Sequence, residues 1–228
     1  MPTDVPTPQM SAMEELARDP ASRRRFLSRL GGAGAAGSFA LFLAACGTKK
    51  GKFTPGGSSV KTGAGTGTDR YAKGDLGIAI YALVLEYVEA DFYAQAIASG
   101  QLTGRVLEVA KKFGAQEATH VQTLEAVVTQ LKGTLPKKPE IKISTSSPTV
   151  ILQQALTFEN LGAAAYLGQA DRIVDKDLLA AALTIHSVEA RHAAALAVAA
   201  GSDPAPQGAF AQPETAANVI QALQPILV

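Results

Sequence analysis

The chain is 228 residues long with 21 basic and 20 acidic side chains, a formal net charge of +1 that argues against nucleic acid as a partner and against a solvating acidic tail. Hydrophobic residues make up 47% and charged ones 18%, enough apolar material for a sizeable core and too little charge for a disordered chain. One cysteine excludes a disulfide framework, a zinc ribbon, a CxxCH haem attachment and a four-cysteine cluster.

Residues 1–46 read as an export signal rather than as fold. Ser22-Arg23-Arg24-Arg25-Phe26-Leu27 resembles the bacterial twin-arginine signal at every specified position. The uncharged run from Leu30 to Ala45 is 16 residues, shorter than the ~20 a membrane-spanning helix needs. It ends Leu43-Ala44-Ala45-Cys46-Gly47, which resembles a lipobox, in which the cysteine is acylated and becomes the mature N-terminus. The alternatives are an ordinary signal with an incidental cysteine or an uncleaved anchor. On the lipoprotein reading the chain sits in the bacterial cell envelope, tied to the membrane at Cys46. Residues 47–70, rich in Gly, Ser, Thr and Lys, read as a flexible tether.

From 71 to 200 the apolar period is helical throughout. The first stripe runs Leu76, Ala79, Leu83, Glu86, Ala90, Tyr93, Ile97 and stops at Gly100. The second runs from Val106 through Phe113, Glu117, His120 and Leu124 to Leu131, with Gly133 as its stop. Residues 134–147 hold two prolines and β-branched residues in an extended pattern. Ser147-Pro148 then reads as a cap followed by a first-turn proline. The third stripe passes through Leu152, Glu159 and Tyr166 to Ile173, and the fourth from Leu178 through Glu189 and His192 to Ala199, ending at Gly201. The tail, 201–228, begins as a loop and ends in one short amphipathic helix from Glu214, expected to pack against one end of the bundle.

Each stripe is interrupted by a glutamate, and a buried carboxylate is costly unless paired or metal-bound. Glu86 and Tyr93 are seven apart, as are Glu159 and Tyr166, so each pair shares a helix face. Glu117–His120 and Glu189–His192 are both three apart, and two of the chain's three histidines are used this way. The offsets 86→159, 117→189 and 120→192 are 73, 72 and 72 residues, which marks an internal repeat of a two-helix unit.

Four helices carrying Glu, ExxH, Glu, ExxH resemble the ferritin-like di-iron carboxylate proteins, whose site takes one Glu from each of two helices and Glu-x-x-His from each of the others. LEYVEADFY (85–93) and SVEARHAAAL (187–196) most resemble the exported bacterial ferritin-like domain group. The resemblance implies an all-α fold: an antiparallel four-helix bundle with a long crossover between helices 2 and 3, plus the short C-terminal helix. That crossover must travel a helix of about 27 residues, ~40 Å, and 15 extended residues over 133–147 reach ~50 Å. The resemblance also implies two iron ions, with manganese as the alternative and no haem. Glu86 and Glu159 would be terminal ligands, Glu117 and Glu189 bridges, and His120 and His192 nitrogen ligands. Tyr93 and Tyr166 would lie close to the metals as the catalytic side chains. Several relatives place an acidic residue directly before the ExxH glutamate, where this chain has Gln116 and Val188.

The chemistry implied is oxidation of Fe(II) by O₂ or peroxide. No cysteine remains for a rubredoxin-like centre, no methionine follows residue 13 for a haem, and a lipid tether on each subunit sits badly with a closed storage cage. A manganese catalase, and a metal-binding or metal-free envelope scaffold, stay as alternatives, and a homodimer stays open. Beside the six ligands, His186 reads as an extra ligand, a donor behind the ligands or a partly exposed histidine. Glu89 either lines the site or belongs to a solvated face. Arg191 reads as a surface or inter-helix ion pair.

Overall fold

The structure is a computed structural model that describes residues 67–228. The export signal and lipobox (1–46), with most of the tether, lie outside the described residues. Five α-helices follow a short 3₁₀ turn: α1 (Gly74–Ala98), α2 (Gly104–Gln130), α3 (Pro148–Gln169), α4 (Lys176–Ala199) and α5 (Ala216–Leu223). Among the described residues there is no β-strand, only an isolated antiparallel bridge between Ile141 and Leu227. No helix among them is long and apolar enough to cross a membrane.

The contacts give the topology. α1 packs along α2, and α3 along α4, as two hairpins. Gly133, just past α2, abuts Leu76 at the start of α1, so those two helices run antiparallel. Tyr93 reaches Glu159 while Tyr166 reaches Glu86, so α1 and α3 are antiparallel as well. Hence α2 and α3 run parallel, and the link between them must traverse the bundle. It does so extended, passing from Leu76 at one end of α1 to Gln95 near the other, where the Gln95 amide donates to the Ile141 carbonyl at 3.0 Å. Ile141 and Ile143 point into the core from this strap, two residues apart as extended backbone requires. The chain's last residues pair with it: Lys142 N–H donates to Ile226 and Val228 N–H to Glu140.

The ends of the helices differ from the sequence reading in two places. The Ser147 hydroxyl caps α3, accepting from Val150 N–H, with Pro148 in the first turn as expected. At the end of α2, however, the left-handed residue is Lys132 (φ 59°), not Gly133. Gly133 N–H bonds to Val128 and Lys132 N–H to Thr129, the paired closure that usually carries glycine one residue earlier. At 133 a Cβ would meet Leu76 Cδ1 at 2.4 Å, so a larger residue there would require the Leu76 side chain to move. α3 ends at Gln169 rather than Ile173. The Asp75 carboxylate on α1 accepts from the Val174 and Asp175 N–H groups and holds that segment as a loop, while Ile173 stays buried.

The tail is also placed differently. Instead of closing an end, it lies against α3, where Glu214 N–H donates to the Ala164 carbonyl. Leu223 of α5 packs over the groove between α1 and α3, beside Leu85, Val88, Phe158 and Leu161. Burying Ala216, Val219 and Leu223, one face of α5, is what keeps an eight-residue helix folded.

Candidate metal centre

Four carboxylates sit midway along the bundle with no exposure at all: Glu86 from α1, Glu117 from α2, Glu159 from α3 and Glu189 from α4. The helical period puts them there, since each occupies a core position of its apolar stripe. His120 and His192, one turn after Glu117 and Glu189, are buried beside them. The ligand atoms form two overlapping groups. Glu86, Glu117, His120 and Glu189 make one, and Glu117, Glu159, Glu189 and His192 the other, each with its atoms within 4.8 Å of one another. Glu117 and Glu189 belong to both.

The bonding inside this cluster cannot be completed by protons alone. His120 Nδ1 faces Glu117 Oε2 at 2.8 Å, Glu189 Oε1 at 3.1 Å and Glu86 Oε2 at 3.2 Å. His192 Nδ1 faces Glu117 Oε1 at 3.0 Å and Glu159 Oε2 at 3.1 Å. Each ring nitrogen carries at most one hydrogen. Glu117 Oε1 and both oxygens of Glu189 are close to an imidazole or a carboxylate yet lack an aligned hydrogen bond, and all three are buried. Orphaned acceptors of this kind cost the full desolvation penalty. Carboxylate oxygens and imidazole nitrogens converging on common points could hold a metal ion.

The electrostatics say the same. Burial pushes Glu86 and Glu189 up to about 8 against the hydrogen bonds of His120. Glu117, also buried, is held down to about 2 because both imidazoles hydrogen-bond to it. Burial works against protonation of the histidines, but the facing carboxylates win and raise His120 to about 12 and His192 to about 9. Without a cation, the cluster therefore stays intact only by retaining protons that a metal would displace.

Residues 74–202 match the ferritin-like domain family. The chain belongs to that family. A search of curated proteins finds no match. The matched span runs from the first residue of α1 to just past α4, so the ferritin-like domain comprises both hairpins and the strap between them, with α5 outside it.

Around these six side chains the ferritin-like domain is less symmetric than the repeat. The tyrosines cross over: the Tyr93 hydroxyl donates to Glu159 Oε1, and the Tyr166 hydroxyl donates to Glu86 Oε1 at 2.5 Å. The tyrosine of each hairpin thus holds a glutamate of the other, Glu159 or Glu86, which the seven-residue spacing within each hairpin did not reveal. Burial and the facing carboxylates push both phenols well up, so both stay protonated and donate. His192 turns its far nitrogen, Nε2, to Gln116 Oε1 at 2.8 Å, and its ring stacks on Phe113 with centroids 3.8 Å apart. Gln116 therefore supplies an acceptor behind the histidine. At the mirrored positions stand Val188 and Ile185, which offer neither an acceptor nor an aromatic face.

Glu89 is the residue that sequence reasoning undervalued. It is 4% exposed, and its Oε2 has no hydrogen-bond partner. Its carboxyl borders the cluster: a Cβ built on Gly162 would lie 2.7 Å from Glu89 Oε1 and 3.3 Å from Glu189 Oε2. Burial and the charges of Glu189 and Glu86 push Glu89 well above the ordinary carboxylate range. Leu223 of the tail helix closes the groove over it, so the face is not solvated. The 73-residue offset pairs Glu89 with Gly162, and a carboxylate repeated as a glycine was the available signal. His186 lies outside both ligand groups and turns Nδ1 to the Ala163 carbonyl at 2.9 Å. Arg191 is exposed, its Nε donating to the Ser187 carbonyl one turn back.

Proposed function

We propose that this ferritin-like protein is exported by the twin-arginine route, anchored to the cell-envelope membrane through Cys46, and holds two iron ions, with O₂ or peroxide as the oxidant of Fe(II). The observation that carries the metal assignment is the pair of overlapping ligand groups sharing Glu117 and Glu189, with buried oxygens left over for a cation. On this reading Glu117 and Glu189, common to both groups, would be shared between the metals, while Glu86 with His120 and Glu159 with His192 would each serve one. Bound there, a ferrous pair would supply the two electrons that, with two protons, reduce O₂ to hydrogen peroxide or hydrogen peroxide to two waters.

The chain's own residues set the conditions. Four carboxylates neutralise two divalent ions, so the loaded core carries no net charge to bury. Tyr93 and Tyr166 orient the terminal carboxylates and hold a proton at the hydroxyl nearest each one. Phe113 and Gln116 fix the His192 ring, and α5 keeps water from the α1–α3 side. Export as a folded protein would let the domain leave the cytoplasm already loaded, a hypothesis that Arg23, Arg24 and the buried ligand set together motivate.

Anaerobic addition of Fe(II) to the metal-free protein tests the site, with about two irons bound per chain expected and O₂ or peroxide then oxidising them faster than in buffer. A protein that takes up no iron overturns the reading in favour of an envelope scaffold. Manganese uptake with O₂ evolution from peroxide replaces it with a catalase. In cells, Arg23→Lys with Arg24→Lys should retain the precursor and Cys46→Ser should release a soluble form; unchanged membrane attachment of the Cys46 variant would refute the anchor.

A further inference from the structure

Among the described residues one buried carboxylate belongs to neither ligand group: Glu89, on α1 one turn after Glu86. Its Oε2 has no hydrogen-bond partner, and no basic side chain lines the groove it faces. The charges that act on it most strongly are those of Glu189, Glu86, Glu159 and Glu117, all acidic. A carboxylate buried among carboxylates is costly unless a cation reaches it.

Glu89 stands between the cluster and the surface. On its inner side is Gly162 of α3. A Cβ built there would lie 2.7 Å from Glu89 Oε1 and 3.3 Å from Glu189 Oε2, so both carboxyls border the space that a side chain at 162 would fill. Glu189 Oε2 is itself buried without a hydrogen bond, and Glu189 is common to both ligand groups. On the outer side lies the groove between α1 and α3, walled by Leu85, Val88, Phe158 and Leu161 and closed by Leu223 of α5.

The cover is lightly held. α5 is eight residues long and buries three side chains. The tail is tied on each side of it: Glu214 N–H donates to the Ala164 carbonyl, and the Ile226 carbonyl accepts from Lys142 N–H. α5 can therefore lift from the groove while the tail stays attached, the kind of local opening that costs less than global unfolding. Toward the C-terminal end of α1 the path is harder. The layer there is aromatic, with Phe92, Tyr93, Phe113 and Phe158 packed edge to face. An apolar layer strips a cation of its water and offers no oxygen in return.

We propose that divalent iron enters the cluster through the α1–α3 groove, with Glu89 as the transit ligand that takes up the incoming cation and passes it to Glu189, and with α5 as the cover that admits it. The proposal rests on the metal-binding reading above and adds the route. Glu89 stands outside both ligand groups because its task ends when the cation is seated. A residue of the route acts on entry and exit alike, so it changes both rates and leaves the equilibrium where it was. A resident ligand changes the equilibrium.

Co(II) serves as the probe, since its visible absorption reports binding and air does not oxidise it on mixing. Stopped-flow mixing with the metal-free full chain gives the uptake rate, and a chelator gives the release rate. Glu89→Gln should slow both by about tenfold, with the affinity moving by less than about threefold. Glu89→Asp should recover part of the uptake rate. Leu223→Ala thins the cover and leaves every carboxylate in place. It should speed both rates by about fivefold, and it keeps the test decisive if Glu89→Gln fails to fold. Wild-type rates in either Glu89→Gln or Leu223→Ala would overturn the route. An affinity lowered about tenfold in Glu89→Gln, through either rate, would make Glu89 a resident ligand and overturn the transit role. Wild-type protein that binds neither Co(II) nor Fe(II) at equilibrium would refute the metal reading and the route with it, whereas two cations bound per chain at rates insensitive to residue 89 would refute the route alone.

Discussion

The α1–α2 and α3–α4 hairpins carry the same four chemical residues at the same spacing within each helix, and they differ in what surrounds them. The first hairpin contributes Phe113 and Gln116 behind His192 and a fifth carboxylate, Glu89. The second contributes Ile185, Val188 and Gly162 at the matching positions. A repeat constrained by ligation keeps its ligands, because losing one strands the others as buried charges. It is free to diverge one layer out. The two halves of the cluster are therefore unequal: the His192 imidazole is fixed by a stack and a hydrogen bond, and Ile185 and Val188, at the mirrored positions, can give neither.

The largest effect should come where the halves are joined. Glu117→Ala or Glu189→Ala removes a residue common to both ligand groups, and each should weaken Fe(II) or Co(II) binding at both positions by at least about 100-fold in an anaerobic titration. Loss confined to one metal would show that the shared residue does not bridge. Next, Gln116→Leu should weaken binding about 10–100-fold at one position only, whereas Val188→Leu should change nothing. Val188→Gln is the sharpening variant, since an acceptor behind His120 should bring the two affinities closer. Equal responses to Gln116→Leu and Val188→Leu would break the comparison.

The crossed tyrosines should respond alike. Tyr93→Phe and Tyr166→Phe each delete one buried hydrogen bond to a carboxylate, and chemical denaturation of the metal-free protein should show about 1.5–3 kcal/mol lost in each. A smaller effect is expected at Gly162→Ala, about 1–2 kcal/mol, because the new methyl meets the Glu89 carboxyl. Adding Glu89→Ala should relieve part of that cost, and strict additivity in the double mutant would show that the two residues do not touch. His186→Ala should be the mildest, with metal stoichiometry unchanged and stability lowered by about 1 kcal/mol for one lost hydrogen bond to Ala163.

Much of this architecture was legible in the chain. A period of three and four across four stripes specifies helices, and a glutamate at a core position of each stripe specifies that the carboxylates meet. The Ser147-Pro148 cap and the extended strap follow from local chemistry in the same way. Glu89 was not legible as a buried residue, because its own helix places it beside the ligand face and only the tail helix, more than a hundred residues away, covers it. The partner of each tyrosine was also hidden, since spacing along one helix says which face a side chain shares and nothing about which helix it meets.

The sequence by itself determined what lies on each helix face, since backbone periodicity and capping are local and need no neighbour. That is why the four stripes, the ExxH pairs and the repeat offset could be read directly. Only the tertiary structure decided how those faces were apportioned. It exchanged Tyr93 and Tyr166 between hairpins, seated Leu223 over Glu89, and set Gly162 opposite that carboxyl. Each of these depends on the distance between two segments far apart in sequence, a quantity set by packing all the helices at once.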